Sequence, residues 1–397
     1  MTSLDEFASS KLRQLDDARL KRSPVETVPE DDVWVSRGGK RLICFSSNDY
    51  LNLAGHPAVK AAAIAAIHRY GAGARASRLV TGNHPLLTEL ERRLARLKGT
   101  EAACVFGSGY LANSGIIPTL IGRDDLILID ELAHSCLWSG ATLSRAQIAK
   151  FRHNDTEHAA ELLASRRADF RRALIVTDGV FSMDGDIAPL SALSDLARSC
   201  DSWLMVDDAH GVGVLGQGRG SSFAQAGKAH IELQMGTLSK ALGSSGGYLC
   251  ASRPVIDLMK TRARTFIYST GLSPADAAAA IAAVDIVMAQ PELVAKPLRN
   301  ARLFCSLMNL PPAQSAVVPL ILGAPEAALK ASEQLERNGF LVTAIRPPTV
   351  PAGTARLRLA FTAAHRDDQI ERLAQACRSF AISPEVPASS LLSGSGV

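Results

Sequence analysis

The chain has 397 residues, of which 47% are hydrophobic and 21% charged, and its 43 Lys and Arg against 39 Asp and Glu give a formal net charge of +4. This balance is typical of a folded globular protein with room for one large domain and a smaller one. The positive excess is too small, and too little interleaved with aromatic residues, to indicate a nucleic-acid-binding protein.

Seven cysteines are spread along the chain without C-x-x-C pairs or the spacing of metal ligands. An odd, scattered set argues against a disulfide framework and is typical of a reducing compartment. The sequence shows neither a secretory leader with an apolar core nor an apolar run of membrane-spanning length. We therefore expect a cytoplasmic protein with no metal centre and no membrane contact.

The first predicted element is an amphipathic helix within residues 1–22, where leucines and Phe7 recur near helical spacing. A stretch rich in turn signals follows, up to the RGGK motif at 37–40. Farther on, HPLLTELERRLARLKGT places its leucines on one helical face and ends at Gly99, as helices often do. We assign residues 1–45 to an N-terminal helical segment.

Six short, nearly continuous apolar runs then predict buried strands, and helical stretches separate several of them. Strands that are apolar on both faces and alternate with helices indicate a mostly parallel sheet covered on both sides. The runs are AACVF at 102–106, DLILID at 125–130, ALIVTD at 173–178, WLMVDD at 203–208, IELQMG at 231–236 and GGYLCAS at 246–252.

The composition changes after about residue 285 to that of a smaller α+β unit. Helix-like EAALKASEQLERNG lies between strand-like AVVPLILG and FLVTAIR, and ARLRLAF precedes a last helix. We predict a large domain over 46–285, a small domain over 286–385 and a disordered tail over 386–397, since the tail is rich in Ser and Gly.

Residues 106–115, FGSGYLANSG, form a glycine-rich turn between a predicted strand and a predicted helix. Gly107 and Gly109 permit a tight turn, and the free N–H groups at the start of a helix favour an anion such as phosphate. Turns of this kind are common in α/β folds and most are explained by packing, so this motif decides nothing by itself.

Acidic and imidazole side chains follow other predicted strands. VDDAHGVGVLG places Asp207 at the end of a strand and His210 three residues later. Ligands of open α/β sheets bind beyond such strand ends, where an aspartate can keep a nearby ring nitrogen protonated. Asp207 as a helix cap and His210 as a hydrogen-bonded loop residue are equally compatible with this segment alone. His134 follows another strand, where a lone histidine is more often structural.

Lys240 lies in MGTLSKALGSSGGYL, between hydroxyl residues and a glycine cluster. Thr237 and Ser239 offer hydroxyls to a phosphate, and the glycines allow close backbone approach. Lysine forms Schiff bases with carbonyl cofactors, and a pyridoxal site pairs that lysine with an aspartate. A phosphate turn, a stacking ring, an aspartate and a lysine at successive strand ends therefore predict a pyridoxal phosphate site.

These motifs resemble the α-oxoamine synthase family of fold-type I pyridoxal phosphate enzymes. The resemblance runs from SSNDYLNL near residue 46 to LRLAFTAAH at 365, through FGSGYLAN, VFSMDGDIAPL, WLMVDDAHGVGVLGQGRG, GTLSKALGSSGGY and FIYSTGLSP. It implies an α/β fold: a large domain with a mostly parallel seven-stranded sheet sandwiched by helices, a smaller α+β C-terminal domain and an N-terminal helical segment.

The resemblance also implies roles at the cofactor. Lys240 would hold it as a Schiff base and act as acid and base at the substrate Cα. Asp207 would pair with the ring nitrogen, His210 would hydrogen-bond the phenolic oxygen, and His134 would stack on the ring. The remaining cofactor contacts implied are Ser108, Gly109 and Tyr110 in the turn, Ser182 nearby, and Thr237 and Ser239 at the phosphate, although some relatives carry glycine at position 239.

Substrate contacts follow from the same resemblance. Asn48 would approach the substrate, and Arg358 would bind the amino-acid carboxylate, which suits a bidentate guanidinium. Arg346 and Thr349 would line the acyl side. The family also places an N-terminal arginine there, for which Arg22 is the first choice and Arg19 the second.

The implied activity is a decarboxylative condensation of L-alanine with a pimeloyl thioester, in biotin biosynthesis. The products would be 8-amino-7-oxononanoate, CO2 and a free thiol, and the thiol carrier is either coenzyme A or acyl carrier protein. RPPTVPAGTARLRL, from Arg346, is more specific to this branch of the family. The family forms homodimers with the site at the interface, so a homodimer is expected.

Alternatives remain open at this point. Glycine C-acetyltransferase, 5-aminolevulinate synthase and serine palmitoyltransferase activities use the same machinery, and one methyl group on the amino acid is a small discrimination for a hydrophobic pocket. A non-catalytic scaffold subunit is disfavoured because Lys240, Asp207, His134 and His210 are all present. An oxidoreductase is disfavoured because no G-x-G-x-x-G opens a dinucleotide-binding unit.

Overall fold

The computed structural model of the protein describes residues 2–17, 20–224 and 229–380. The helices are α1 (Ser3–Asp17), α2 (Pro57–Tyr70), α3 (Pro85–Lys98), α4 (Gly109–Leu120), α5 (Ser135–Ser144), α6 (Thr156–Arg166), α7 (Leu190–Ser199), α8 (Arg253–Arg262), α9 (Arg264–Ile267), α10 (Pro274–Ala289), α11 (Pro291–Leu307), α12 (Pro325–Arg337) and α13 (Asp367–Cys377). The strands are β1 (Val28–Pro29), β2 (Trp34–Arg37), β3 (Lys40–Cys44), β4 (Ala102–Phe106), β5 (Leu126–Asp130), β6 (Gln147–Phe151), β7 (Ala173–Asp178), β8 (Trp203–Asp207), β9 (Leu233–Thr237), β10 (Gly247–Ala251), β11 (Val317–Gly323), β12 (Phe340–Leu341), β13 (Thr343–Ile345) and β14 (Ala355–Ala360).

The main sheet has seven strands in the order β4-β10-β9-β8-β7-β5-β6. Only β10 runs against its neighbours, and the other pairings are parallel. Every residue of β4, β5, β7, β9 and β10 is buried, because helices cover both faces of the sheet. The predicted, mostly parallel seven-stranded sheet is confirmed.

Parallel strands bring their carboxyl ends to one edge of this sheet. β7 and β8 end in register at Asp178 and Asp207, and β9, the next strand in the sheet, ends at Thr237. The turns that follow β5, β7, β8 and β9 therefore open at the same edge, where ligands of open α/β sheets bind.

The predicted leucine-rich helix is α3. It ends as expected at Gly99, which adopts the left-handed conformation at φ 64° and caps the helix with its backbone N–H. Leu87, Leu90 and Leu94 are completely buried. The helix thereby packs against one face of the large sheet through its apolar stripe.

The N-terminal region differs from the sequence-based expectation. The helix within residues 1–22 is confirmed as α1, but strands β1 to β3 follow it within the segment predicted to be helical and turn-rich. These strands form a four-stranded sheet with β12 from the C-terminal part, where β3 and β12 pair in parallel. Short strands next to proline and glycine turns carry too little periodicity to be recognised, and a partner about 300 residues away supplies their stability.

The C-terminal part contains a second small sheet, in the order β11-β14-β13, with antiparallel pairs. The predicted strand FLVTAIR is divided: Phe340–Leu341 pairs with β3, whereas Thr343–Ile345 pairs with β14. The predicted domain boundaries at 45/46 and 285/286 stay predictions, and the predicted tail over 386–397 lies outside the described residues.

No individual helix in the described ranges is long and apolar enough to cross a membrane. The pair α10 and α11, bent by 84°, meets that test of length and composition only when the two are taken together.

Candidate active site

Lys240 lies in the turn after β9, at the carboxyl edge of the sheet. Its Nζ is 2.7 Å from Nε2 of His210. Burial lowers the pKa of Lys240, while the carboxylates of Asp207 and Asp178 oppose this shift and the charge of Arg358 adds to it. A lysine with a lowered pKa has a larger neutral fraction, which is the form that acts as a nucleophile or base.

A chain of hydrogen bonds leads from Lys240 to Arg358. His210 Nδ1 is 2.6 Å from the hydroxyl of Tyr50, which donates to Asn48 Oδ1 at 3.3 Å. Nη2 of Arg358 donates to the same Asn48 oxygen at 3.1 Å. Burial holds the pKa of His210 well below its usual value, and the charges of Lys240 and Arg358 lower it further. A neutral imidazole that accepts from Lys240 at Nε2 donates from Nδ1 to Tyr50.

Asp207 is held at the end of β8 by donors from two elements. Its Oδ1 accepts from the backbone N–H of Ala209 at 3.0 Å, and its Oδ2 accepts from Nδ2 of Asn113 in α4 at 2.7 Å. Burial, followed by the negative charge of Asp207, raises the pKa of its neighbour Asp178 well above the usual range. Asp178 is therefore protonated more readily than an ordinary aspartate.

His134 caps the start of α5 and lies beside the carboxyl pair. Its backbone N–H donates to Asp178 Oδ2 at 2.8 Å. Its Nδ1 accepts from the backbone N–H of Cys136 at 3.3 Å and lies 2.8 Å from the Cys136 thiol. Because Nδ1 is the acceptor, the ring proton is on Nε2. Burial lowers the pKa of His134, against the opposing charge of Asp207.

The glycine-rich turn and the end of β9 come together as predicted. The side chain of Ser108 caps α4 by accepting from the backbone N–H of Leu111 at 3.1 Å. A Cβ on Gly247 would lie 2.5 Å from the Ser108 carbonyl and 2.7 Å from Cα of Gly109, so only glycine permits this approach. This close approach places the N-terminus of α4 beside Thr237: a Cβ on Gly109 would lie 3.8 Å from the Thr237 side chain.

Two hydroxyls complete this part of the site. Thr237 Oγ1 donates to the carbonyl of Gly246 at 2.9 Å, so it accepts from Ser239 Oγ at 2.8 Å. Ser239 therefore holds a hydroxyl proton that can turn to an anion at the start of α4. Tyr110 is 53% exposed and donates to Ser139 Oγ at 2.9 Å, so its ring lies along α5 at the surface of the turn.

A cavity of about 800 Å³ opens beside His134 and Ser182. Nη2 of Arg22 donates to Oγ1 of Thr349 at 2.9 Å on its wall, so the predicted N-terminal and acyl-side residues meet. Arg346 is not among the described residues that line this cavity, although its carbonyl accepts from the backbone N–H of Thr349 at 3.1 Å. Arg19, the second choice, lies outside the described residues.

Two arginines of β14 hold the loop that carries Ser182. Nε of Arg358 donates to the carbonyl of Ser182. Arg356, two residues earlier and on the same strand face, forms an ion pair with Asp184 and donates to the carbonyl of Met183 at 3.2 Å. Buried arginines need such partners, because an unpaired charge away from water is costly.

Sequence reasoning missed several residues of this site. Tyr50, Asn113, Cys136 and Asp178 make direct contacts with predicted site residues, and Arg356 holds the two residues that follow Ser182. Asp178 carried a signal, since it ends an apolar strand as Asp207 does. Arg356 carried another, because ARLRLA places two arginines in an otherwise apolar strand.

This donor set fits pyridoxal phosphate. A buried amine with a lowered pKa suits the aldehyde carbon, and a carboxylate held by two donors suits a protonated ring nitrogen. The close approach at Gly247 forms a cradle of a helix N-terminus and two hydroxyls, which suits a phosphate.

Comparison with known proteins agrees with this geometry. The model of the family "Aminotransferase class I and II" matches residues 40–377. The 8-amino-7-oxononanoate synthase of Beijerinckia indica subsp. indica is 61% identical over 388 residues, which cover 98% of this chain and 99% of that protein. The chain belongs to the aminotransferase class I and II family, among its 8-amino-7-oxononanoate synthases. The synthase of Methylocella silvestris is 69% identical over 344 residues, 87% of this chain and 98% of that protein.

Solved structures of the family have the same fold. A high-resolution structure of serine palmitoyltransferase with PLP superposes with a TM-score of 0.89 at 29% identity, covering 96% of this chain and 98% of that one. The 8-amino-7-oxononanoate synthase of Francisella tularensis superposes with a TM-score of 0.71 at 27% identity, covering 85% and 97%. The fold-type I architecture and the resemblance to the α-oxoamine synthases are thus confirmed.

Proposed function

We propose that the protein catalyses the condensation of L-alanine with a pimeloyl thioester, giving 8-amino-7-oxononanoate, CO2 and a free thiol, as a cytoplasmic homodimer. The observation that carries this proposal is the convergence of Lys240, Asp207 and Arg358 at the carboxyl edge of the main sheet, where the contacts of His210, Tyr50 and Asn48 link Lys240 to Arg358. The relatives at 58–69% identity support the choice of substrates.

Pyridoxal phosphate, when bound, supplies an electron sink for the electron pair left on the amino-acid Cα. Lys240 would hold its aldehyde carbon and Asp207 the proton of its ring nitrogen. His210 would hydrogen-bond the phenolic oxygen through Nε2, with the ring proton moved there and Nδ1 accepting from Tyr50. His134 would lie against the ring. The groups that would hold its phosphate are the N-terminus of α4 at Ser108 and Gly109, and the hydroxyls of Thr237 and Ser239.

Arg358 would bind the carboxylate of L-alanine. Its Nε and Nη2 are fixed by the Ser182 carbonyl and by Asn48, and none of the described residues accepts from its Nη1. The guanidinium is therefore oriented in advance, with N–H donors left for a carboxylate.

Lys240 would take the Cα proton of L-alanine on Nζ, for which its lowered pKa leaves it a neutral amine more often. A C–C bond then forms between that Cα and the thioester carbonyl carbon, and the C–S bond breaks as a thiolate leaves with its electron pair and takes a proton from water. The alanine carboxylate leaves as CO2, and Lys240 returns a proton to the same carbon. His134 would hold the thioester carbonyl oxygen with the proton on Nε2.

The cavity beside His134 would take the acyl chain. Leu15, Leu20 and Trp138 supply apolar walls for its methylenes, and Arg22 with Thr349 supplies polar donors at the N-terminal side. Coenzyme A and acyl carrier protein are both compatible thiol carriers.

A second copy of the chain would cover the surface formed by residues 77–80 and 268–270. Exposed apolar side chains there include Leu79 (59%), Val80 (74%) and Tyr268 (75%), and the bridge between Ser77 and Thr270 brings their segments together. Large exposed apolar side chains that cluster indicate an interface. Sedimentation of the holoenzyme should give the mass of two chains, and a monomeric species that turns over fully would contradict the dimer.

The function is tested by turnover of the purified holoenzyme with matched substrate pairs. L-alanine, glycine and L-serine are each combined with pimeloyl-, acetyl-, succinyl- and palmitoyl-CoA, and free thiol and CO2 are measured. The highest kcat/KM with L-alanine and pimeloyl-CoA supports the proposal. A preference for glycine or L-serine assigns a sister activity, which the serine palmitoyltransferase fold makes the natural second candidate. A protein that neither absorbs visible light with cofactor nor turns over would be a scaffold.

A further inference from the structure

His153 lies outside the catalytic residues, yet both of its ring nitrogens are bonded to acids. Nδ1 is 3.1 Å from Asp130 Oδ1, and Nε2 is 2.8 Å from Asp186 Oδ2. The ring is enclosed from a third side by Phe181, whose centroid lies 4.3 Å away at 89°. An imidazole with two carboxylate acceptors must carry protons on both nitrogens to satisfy them.

The two acids belong to different loops of the acyl-side cavity. Asp130 ends β5, and the residues that follow it, 131–134, line the cavity up to His134. Asp186 closes the turn that carries residues 182–184, which line the same cavity. His153, which is not among the described residues that line the cavity, therefore bridges the two loops.

Neighbouring contacts make this bridge rigid. Asn154, in the left-handed conformation at φ 55°, donates its backbone N–H to Asp130 Oδ2 at 2.9 Å and its Nδ2 to Asp186 Oδ2 at 2.7 Å. The 181–186 turn is closed by backbone bonds of 2.8 and 3.0 Å between Phe181 and residues 185 and 186. A change at His153 would therefore move each loop as a unit.

We propose that His153 is a positioning residue: by joining Asp130 to Asp186 with both ring nitrogens, it sets the spacing between the two loops of the acyl-side cavity and hence the affinity for the acyl thioester. This inference rests on the proposed function, because that function assigns the cavity to the acyl chain.

The charge state of the ring supports the bridge. Burial lowers the pKa of His153, but the hydrogen bonds and charges of Asp130 and Asp186 outweigh it and raise the pKa to about 10. The other charged groups that face it are Glu131, whose Oε1 accepts the His153 backbone N–H at 3.0 Å, and Arg152, which is paired with Asp155. The bridge is thus intact at neutral pH and opens in alkali.

The test compares KM values of the holoenzyme for its two substrates. His153→Gln keeps one donor but loses the charge, so we expect KM for pimeloyl-CoA to rise about tenfold, while KM for L-alanine changes less than about twofold. Asp186→Asn removes the negative charge at the 182–186 side only, which weakens the bridge there. It should give the same split even where His153→Gln folds poorly, because the Asp186 side chain is 26% exposed.

His230→Gln is the matched control. It removes another histidine paired with an acid, at 3.2 Å from Glu232, but on an exposed surface (66%). Both KM values should stay as in the wild type. A His153→Gln or Asp186→Asn enzyme whose two KM values rise together, or whose kcat alone falls, would show general damage and overturn the proposal.

The pH dependence gives an independent readout. In the wild type, KM for pimeloyl-CoA should rise as His153 loses its proton near pH 10. The His153→Gln enzyme should lack this alkaline rise in KM, while the rest of its pH profile stays that of the wild type. NMR titration of the His153 ring needs no turnover at all. An imidazole that titrates near the ordinary value of about 6.5 overturns the bridge, whereas a wild-type enzyme without turnover overturns the proposed function and leaves the NMR result standing.

Discussion

At the scale of single residues, the site depends on pairs of groups that hold each other's protonation state. Burial and the charge of Arg358 lower the pKa of Lys240, while the carboxyl groups of Asp207 and Asp178 raise it. Burial, followed by the negative charge of Asp207, raises the pKa of Asp178. Exchange of one member changes the proton affinity of the other, so single substitutions here should alter chemistry more than stability.

Lys240→Ala removes both the covalent hold on the cofactor and the acid–base group at the substrate Cα. We expect turnover to fall by about 10⁴-fold or more, and the visible absorbance of bound pyridoxal phosphate to change. Steady-state rates and an absorbance scan of both proteins measure this. Lys60→Ala, at an exposed lysine of α2, is the control. Normal turnover by Lys240→Ala would contradict the proposed mechanism.

Asn113→Ala should act through Asp207, because it removes the 2.7 Å donor to Oδ2. Hydrogen bonds to charged groups contribute about 1.5–3 kcal/mol, so cofactor affinity should fall about tenfold to a hundredfold. Fluorescence titration of the apoenzyme with pyridoxal phosphate measures it. Ser114→Ala is matched in position and burial, and its hydroxyl makes no hydrogen bond within the described structure. Equal affinities of the two variants would remove Asn113 from this role.

Sequence reasoning grouped Lys240, Asp207 and His210 because each follows or ends a recognisable strand, whereas Arg358, which lies inside β14, came only from the family resemblance. Tyr50 and Cys136 could not be found in this way. Their roles arise from contacts with His210 and His134 that depend on how loops fold in space. Arg346 was assigned by its motif, yet the neighbouring Thr349 is the residue that reaches the cavity.

At the scale of elements, the close contact between β10 and α4 is the feature that forms the phosphate cradle. Gly247→Ala would place a methyl group 2.5 Å from the Ser108 carbonyl. We expect a loss of about 1–3 kcal/mol in the free energy of unfolding and weaker cofactor binding, since the start of α4 must move from Thr237. Urea unfolding and cofactor titration measure the two effects.

Gly55→Ala is the control for this substitution, because a Cβ there meets nothing within 4 Å. It should leave stability and cofactor affinity close to those of the wild type. An equal response of the two variants would mean that the approach of β10 to α4 has no special role in binding.

The fully buried strands are the elements whose bounds were best predicted from the sequence. The bounds of β4 and β7 agree with the predicted runs at 102–106 and 173–178, because fully buried strands are continuous in apolar residues. FLVTAIR was predicted as one strand, but its two halves pair with strands of two different sheets. Nothing in its local pattern marks the change of partner, which is decided by β3 and β14.

At the scale of the whole molecule, buried His365 makes stability depend on pH. Its ring stacks on Phe45 with centroids 3.9 Å apart, Nδ1 accepts from the Thr362 backbone N–H, and Nε2 donates to the Cys44 carbonyl. Burial lowers its pKa to about 3. The unfolded chain therefore binds a proton below about pH 6.5 that the folded chain does not, so stability is lost as the pH falls.

Between about pH 7.5 and about pH 5, this residue should lower the free energy of unfolding by about 2 kcal/mol. His365→Gln should remove that part of the dependence, whatever its own effect on stability at neutral pH. Urea unfolding of both proteins at the two pH values tests this, and equal slopes would contradict it. His153 has the opposite sign: its raised pKa stabilises below about 6.5, and this is lost as the pH rises toward 10.

The order of strands in the sheet was not readable from the sequence, although the class of fold was. Alternating apolar runs and helices specify a parallel sheet, but β10 enters between β4 and β9, far from β4 in the chain. The N-terminal strands were missed for the same reason, since β12 completes their sheet.

Two contacts join early and late parts of the chain, which matters for folding during synthesis. β3 pairs with β12, and Arg358 in β14 donates to Ser182 and Asn48. A ribosome makes the lysine, the aspartate and the phosphate turn long before it makes β12 and β14. A nascent chain can therefore close its seven-stranded sheet before Arg358, which would bind the amino-acid carboxylate, has been made. Arrested chains that end between β10 and β11 should bind the cofactor without discriminating among amino acids, and selection of the amino acid should begin only once β14 has left the ribosome.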